Sequence, residues 1–395
     1  MTAAAERLLI ENARVYAPDL VADSGWLLTK GSRIAGYGYG RPPQFPAGSP
    51  IRRIDAGGRH LLPGFIDLHV HGAVGHEVMD ASATVLRAMA RCFAGYGVTG
   101  FLPTTLTASP ESTLCAIDTI ASAIGPVAGG ASILGAHLEG PYLNPVRCGA
   151  QVPRYIRRAA PAEASVLLDR DVIRLIALAP EFEENLQLLD DCVRRGVTVS
   201  LAHTDANYQQ MLSAVEHGAR QATHAFNAMS SFGHRQPGAA GAVLALPQLR
   251  AELIADTLHV HPAVMRVLIA AKGPSGVILI TDARRPTGMP DGEYSLDSGV
   301  VTAYNGEVRL PDGTLAGSML RMNLALRNVA VATGLTLHEL WPMTSLNAAR
   351  AVGLSATKGS LEVGKDADLT LLDDQFEVAL TVAEGSIVFE RKAGG

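Results

Sequence analysis

Pro63-Gly-Phe-Ile-Asp-Leu-His-Val-His-Gly72 is the stretch on which the reading of this chain turns. Residues 64–70 form a short apolar run bounded by glycine, the pattern of a buried strand. On a strand, residues i and i+2 face the same way, so His69 and His71 can present both imidazoles to one ion. An isolated His-x-His is equally readable as a structural pair. The neighbouring segments decide between the two.

Seven more short apolar runs follow, at 100–104, 133–138, 172–177, 197–202, 221–224, 250–255 and 276–281. Helix-like amphipathic stretches lie between them at 84–95, 110–123, 184–195, 209–218, 262–272 and 319–333. Strands alternating with helices predict parallel pairing, and eight alternations predict an α/β fold of the (β/α)8 TIM type over 63–352. Outside it the texture changes. Residues 8–16, 25–29, 33–37 and 51–55, and again 368–372, 376–382 and 386–390, are short strands separated by turns. They predict a small β-sandwich domain built from both termini, 1–62 and 353–395.

In such a barrel the chemistry sits at the carboxyl ends of the strands. Glu139 follows the third run and precedes Gly140-Pro141; His203 ends the fifth, His224 the sixth and Asp282 the eighth. Each alone has a plain structural explanation, such as a turn-capping Glu or a helix-capping Asp. Together, four histidines and two carboxylates stand at strand ends, and this predicts a divalent metal site with His69, His71, Glu139, His203, His224 and Asp282. Neutral imidazole and carboxylate suit zinc or iron(II). His137, two residues before Glu139 on the same face, is a candidate supporting partner. Such a metal generates hydroxide near neutral pH, and Asp282 is the candidate catalytic base, then acid, for cleaving an amide.

The chain has 395 residues, 48% hydrophobic and 18% charged, with net charge −5. That is a globular composition and opposes a nucleic-acid footprint. The Met1 to Arg7 segment lacks a basic region followed by an apolar core, and no run is long and apolar enough to span a membrane, so neither a signal peptide nor a membrane partner is expected. Cys92, Cys115, Cys148 and Cys192 match neither a zinc pattern nor a disulfide scaffold, which predicts reduced thiols in a cytoplasmic protein.

Taken in order, His137-Leu-Glu-Gly-Pro-Tyr-Leu-Asn-Pro145, Leu201-Ala-His-Thr-Asp-Ala206, Thr223-His-Ala-Phe-Asn-Ala-Met229, Ala255-Asp-Thr-Leu-His-Val260, Ile280-Thr-Asp-Ala283 and Gly317-Ser-Met319 join the opening stretch in a set that resembles the N-acetylglucosamine-6-phosphate deacetylase family over nearly the whole chain. The tail Gly359-Ser-Leu-Glu-Val-Gly-Lys-Asp-Ala-Asp-Leu369 is similar to many amidohydrolases. The resemblance implies hydrolysis of the acetamide of an amino-sugar 6-phosphate. It implies Glu139, His203 and His224 as main ligands, with His69 and His71 deciding between one and two ions per subunit. It implies substrate contacts from Asn227, the Ala228 backbone, Arg235, His259 and Met319, and a homodimer in which Arg235 acts across the interface. Two departures stand out. Gln151 occupies the place of a family histidine that touches the substrate carbonyl, and Arg284-Arg285 follows the catalytic Asp where smaller residues are usual. Both raise the alternative of a galactosamine epimer or another N-acyl substrate, with Arg284 holding an extra anionic group.

Overall fold

The computed structural model describes residues 7–46, 50–296 and 299–392. The leader reading of residues 1–6 lies outside them, as do the last three residues of the expected terminal domain. All eight apolar runs are strands: Phe65–Val70, Val98–Pro103, Ala136–Glu139, Ile173–Leu178, Thr198–Leu201, Gln221–Ala222, Arg250–Ile254 and Val277–Ile280, here called first to eighth. The third run is broken at Leu134-Gly135, and Ser132–Ile133 pairs with the second strand while Ala136–Glu139 pairs with the fourth. Gly135 allows the break, since its φ of 140° suits a residue without Cβ.

The pairing is parallel throughout, in one sheet of Ser132–Ile133 with the second and first strands and another running from the third strand to the eighth. The two sheets curl towards each other. Thr104 bridges to His137 at one seam and Val70 to Ala283 at the other. At the second seam the Asp282 N–H donates to the His69 carbonyl (2.9 Å), and the Thr281 Oγ1 donates to Asp67 Oδ2 (2.6 Å). The strand residues are almost all buried. Parallel strands covered on both faces read as near-continuous apolar runs, which is why they were visible in the sequence.

The helices Ala83–Ala94, Pro110–Ala123, Glu183–Arg194, Tyr208–His217, Pro262–Lys272 and Met322–Thr333 lie within a few residues of expectation. Pro110–Ala123 shows how the sequence sets a boundary: Ser109 accepts from the Ser112 N–H and proline fills the first helical position. Four further α-helices, Pro161–Leu168, Gly238–Ala245, Leu337–Leu340 and Leu346–Ala351, lie outside the expected stretches.

Strands from both ends of the chain form one mixed eight-stranded sheet. Arg7–Ala17 and His60–Pro63 lie at its centre, and Leu369–Leu372 pairs antiparallel with His60–Pro63. It has its own apolar core, including Ile10, Leu27, Leu61, Leu371 and Val382.

One element was not expected at all. Between the eighth strand and the last long helix, Gly292–Leu296, Gly299–Tyr304, Glu307–Arg309 and Leu315–Ser318 form a four-stranded antiparallel sheet. Its small core of Leu296, Val301, Val308 and Ala316 packs on Ala150 and Met319. The sheet therefore lies against the loop after the third strand, at the carboxyl ends of the parallel strands. Among the described residues no helix is long and apolar enough to cross a membrane.

Candidate metal centre and active site

Five side chains converge at the carboxyl ends of the first, third, fifth and sixth strands. Glu139 Oε1 lies 3.3 Å from His203 Nε2, 3.1 Å from His224 Nε2 and 3.5 Å from His69 Nε2; its Oε2 lies 3.3 Å from His71 Nε2. The ligand atoms make two overlapping groups that share Glu139: His69, His71, Glu139 and Glu139, His203, His224. Asp282 Oδ1 faces the first group at 3.2 Å from His71 Nε2. His203, His224 and Asp282 hold positive φ values of 43°, 31° and 50°. Non-glycine residues adopt that conformation at a cost, and here it turns each side chain from its strand into the mouth.

The ring hydrogens point away from the centre. His69 Nδ1 lies 3.1 Å from Glu252 Oε2, His71 Nδ1 3.2 Å from the Thr104 carbonyl, and His203 Nδ1 2.8 Å from the Arg147 carbonyl. Those partners only accept, so each Nδ1 donates and each neutral ring turns the Nε2 lone pair inward. Yet His69 and His71, both with Nδ1 on an acceptor, bring their Nε2 atoms to 3.1 Å. Facing lone pairs repel unless positive charge stands between them. The titration directions say the same. Burial alone disfavours the His69 cation, but Glu139 and Asp282 outweigh it and hold its pKa well above the ordinary value. Burial would raise the Asp282 carboxyl, and His69 and His71 overcome this and hold it well below the usual range. A field that draws protons onto imidazoles draws a divalent cation equally. The donor set fits a metal.

Glu252 has no counterpart among the sequence expectations. It is fully buried on the seventh strand, and its carboxylate also accepts from Gln221 Nε2 (2.6 Å) and weakly from the His224 N–H (3.3 Å). A lone acid inside the apolar run Ala251-Glu-Leu-Ile was the available signal. Asp67 is similar. Burial pushes its carboxyl up to about 7 while Thr281 and the His69 N–H bond to it. His137 packs edge-on to His69, ring centroids 4.7 Å apart, and its Nδ1 lies 3.1 Å from the Leu68 carbonyl.

A cavity of about 340 Å³ opens from this centre. Glu139, His71, His203, His224 and Asp282 form one wall; Gln151, Asn227, Ala228, His259 and Arg284 form others, and Thr314, Leu315 and Gly317 of the inserted sheet close a side. Gln151 donates from Nε2 to Glu139 Oε2 (2.6 Å) and accepts at Oε1 from the Thr107 N–H (2.8 Å), so its amide braces Glu139. His259 Nδ1 lies 2.6 Å from Asp256 Oδ2. Burial opposes the imidazolium, but that carboxylate raises its pKa overall. Two expected substrate residues stand outside the cavity lining. Met319 packs on the inserted sheet, and Arg235 is exposed in a neighbouring cleft with Asp205, Ser230 and Ser231. Arg285 points away too, to Asp80 (2.8 Å) and the Gly75 carbonyl (2.9 Å). Among the thiols, Cys148 is half-buried and Cys115 exposed; all four are free.

Residues 60–388 match the model of the amidohydrolase family. The chain belongs to this family. It is 36% identical to the N-acetylglucosamine-6-phosphate deacetylase of Bacillus subtilis, over 98% of each chain. It is 38% identical to the N-acetylgalactosamine-6-phosphate deacetylase of Escherichia coli O157:H7, over 93% of this chain and 97% of that one. The crystal structure of N-acetylglucosamine-6-phosphate deacetylase from Pasteurella multocida superposes with a TM-score of 0.91 at 32% identity, covering 96% of this chain and 99% of the other. The α/β architecture, the hydrolase chemistry and the resemblance read from the sequence agree with these matches.

Proposed function

We propose that this amidohydrolase hydrolyses N-acetyl-D-glucosamine 6-phosphate to D-glucosamine 6-phosphate and acetate. One observation carries the reading: a single cavity joins the Glu139 ligand groups and Asp282 at one end to Asn227 and His259 at the other. That spacing suits an amide at the first end and a phosphorylated sugar at the second. In this reading the two curled sheets are a closed (β/α)8 barrel over 63–352, and the terminal sheet belongs to a β-sandwich domain of 1–62 and 353–395.

Zinc or iron(II), one or two ions per subunit, would be held by His69, His71, Glu139, His203 and His224. When bound it supplies Lewis acidity that lowers the pKa of water towards about 7. Asp282, kept ionised by its surroundings, accepts the proton of the attacking water. The new C–O bond forms as the carbonyl π electrons move to oxygen. As they return and the C–N bond breaks, Asp282 delivers its proton to the nitrogen, which departs as amine. Gln151 steadies Glu139 through the cycle. His259, Asn227 and the Ala228 backbone hold the sugar phosphate. Arg235 completes the phosphate site from the partner subunit of a homodimer, which accounts for its exposure in the single chain. Free cysteines accord with a cytoplasmic location.

A second reading, the galactosamine epimer, is favoured by the 38% identity to the Escherichia coli relative. A kinetic screen of both epimeric N-acetylhexosamine 6-phosphates, with metal analysis on the same preparation, separates them. Higher kcat/KM on the gluco compound is expected. Preference for the galacto compound overturns the first reading.

A further inference from the structure

Arg284 is 2% exposed, yet only part of its guanidinium is satisfied. Nε donates to Glu77 Oε1 at 3.1 Å, while Nη2 is buried with no hydrogen-bond partner among the described residues. Glu77 is itself buried and spends the same oxygen on the Arg285 N–H (2.9 Å). A guanidinium that only balanced Glu77 would turn its paired edge to the carboxylate. This one leaves Nη2 unpaired, and the side chain lines the cavity that holds the metal ligands.

The surrounding structure makes room for that pose. Gly317 has a φ of 68°, and a Cβ there would come within 2.4 Å of Arg284 Cγ. The Arg284 backbone is tied to the Ser318 carbonyl (3.0 Å). Several other nitrogen donors of the cavity are engaged within the protein: Gln151 on Glu139, Arg147 on Asp205 (2.7 Å) and the Asn227 amide on the His224 and Ala225 carbonyls, while His259 uses Nδ1 on Asp256 and keeps Nε2 for the phosphate. Asn227 and His259 follow the sixth and seventh strands. Arg284 follows the eighth, two residues beyond Asp282 and beside the loop after the first strand. With the phosphate at the former pair, the acyl group is what reaches Arg284.

The geometry points to Arg284 as a catalytic residue that donates to the acyl oxygen of the scissile amide as that oxygen becomes negatively charged. Glu77 already pairs with the cation, and Glu139 and Asp282 line the same cavity. The free edge therefore suits an oxygen that is neutral in the substrate and charged only in the transition state. Donors placed in this way accelerate the reaction without tightening ground-state binding. The inference rests on the deacetylase reading.

The test compares N-acetyl- and N-trifluoroacetyl-D-glucosamine 6-phosphate. Fluorines stabilise the tetrahedral oxyanion by themselves, so the second substrate depends less on a protein donor. Arg284→Lys and the paired Arg284→Gln/Glu77→Gln variant, which leaves no buried lone carboxylate, are assayed beside the unmodified enzyme with metal content measured. Loss of one oxyanion donor should lower kcat on the acetyl substrate by about 10²- to 10³-fold with little change in KM. The loss on the trifluoroacetyl substrate should be at least tenfold smaller, with Lys less impaired than Gln. Equal losses on both substrates, a change confined to KM, or lost metal would overturn the assignment and leave a structural role. If the unmodified enzyme hydrolyses no N-acetylhexosamine 6-phosphate, the deacetylase reading fails first, and that outcome is read before any variant.

Discussion

Replacing Glu252 by Gln should weaken metal binding at the His69–His71 group while leaving the fold standing. The carboxylate accepts three hydrogen bonds, from His69 Nδ1 at 3.1 Å, Gln221 Nε2 at 2.6 Å and the His224 N–H at 3.3 Å. A glutamine has the same shape but only one accepting oxygen. If that oxygen keeps Gln221, its NH2 faces the His69 Nδ1–H, donor against donor. The clash is relieved when His69 moves its proton to Nε2, which removes the lone pair aimed at the metal. Loss of such supporting partners costs about 10- to 100-fold in affinity, or about 1.4 to 2.8 kcal/mol at roughly 1.4 kcal/mol per factor of ten. The cost should fall on the ion that uses His69 and less on the group around His203, whose Nδ1 is on a backbone carbonyl. Competition against a chelator, with metal counted per chain, reads both sites. A Glu252→Gln protein with unchanged affinity and stoichiometry would refute the claim that this carboxylate fixes the His69 tautomer.

Asp282→Asn should retain its metal and lose at least about 10²-fold in kcat, the range for a positioned acid–base group; an unchanged rate in a metal-replete sample removes Asp282 from proton transfer. His259 has a raised pKa, so its cation persists to higher pH than a free imidazole and is lost as pH rises through that value. The second ionisation of a phosphate ester is nearly complete by about pH 7, so KM should climb above neutrality as His259 deprotonates. A His259→Gln enzyme should start with a higher KM and show no such climb, and a profile identical to the unmodified enzyme's would exclude His259 from phosphate binding. Gly317→Ala places a Cβ 2.4 Å from Arg284 Cγ and 2.7 Å from the Asp282 carbonyl, at a φ of 68°. Left-handed strain of about 1–2 kcal/mol plus overpacking of about 1–3 kcal/mol should lower Tm by several degrees and reduce kcat; an unchanged melt and rate would mean that the loop moves freely.

What the sequence disclosed follows from how far apart the interacting residues lie. A parallel strand buried on both faces is a nearly unbroken apolar run, and a His or carboxylate at its carboxyl end stands out beside that run, so both are local signals. His69, His71, Glu139, His203, His224 and Asp282 stand out as candidates for that reason, and the fold brings them together. The inserted sheet had a local signal too. Asn305-Gly306 lies between alternating strands, and both residues have positive φ, 49° and 84°. That is the signature of a tight hairpin, and it runs against the helix that an α/β pattern predicts after the eighth strand. The helix Gly238–Ala245 was hidden for the opposite reason: it is apolar nearly all round and carries no amphipathic period. Glu252 and Glu77 are a different case. Their meaning depends on His69, 183 positions away, and on Arg284, 207 positions away, and no window along the chain contains both members of either pair. The sequence therefore exposes groups that face the reaction, one strand end at a time. The residues that set the tautomer of a ligand or leave a guanidinium edge free become visible only once the strands are brought side by side. On the reading argued here, those residues are also the ones that adapt a common metal centre to its particular amide.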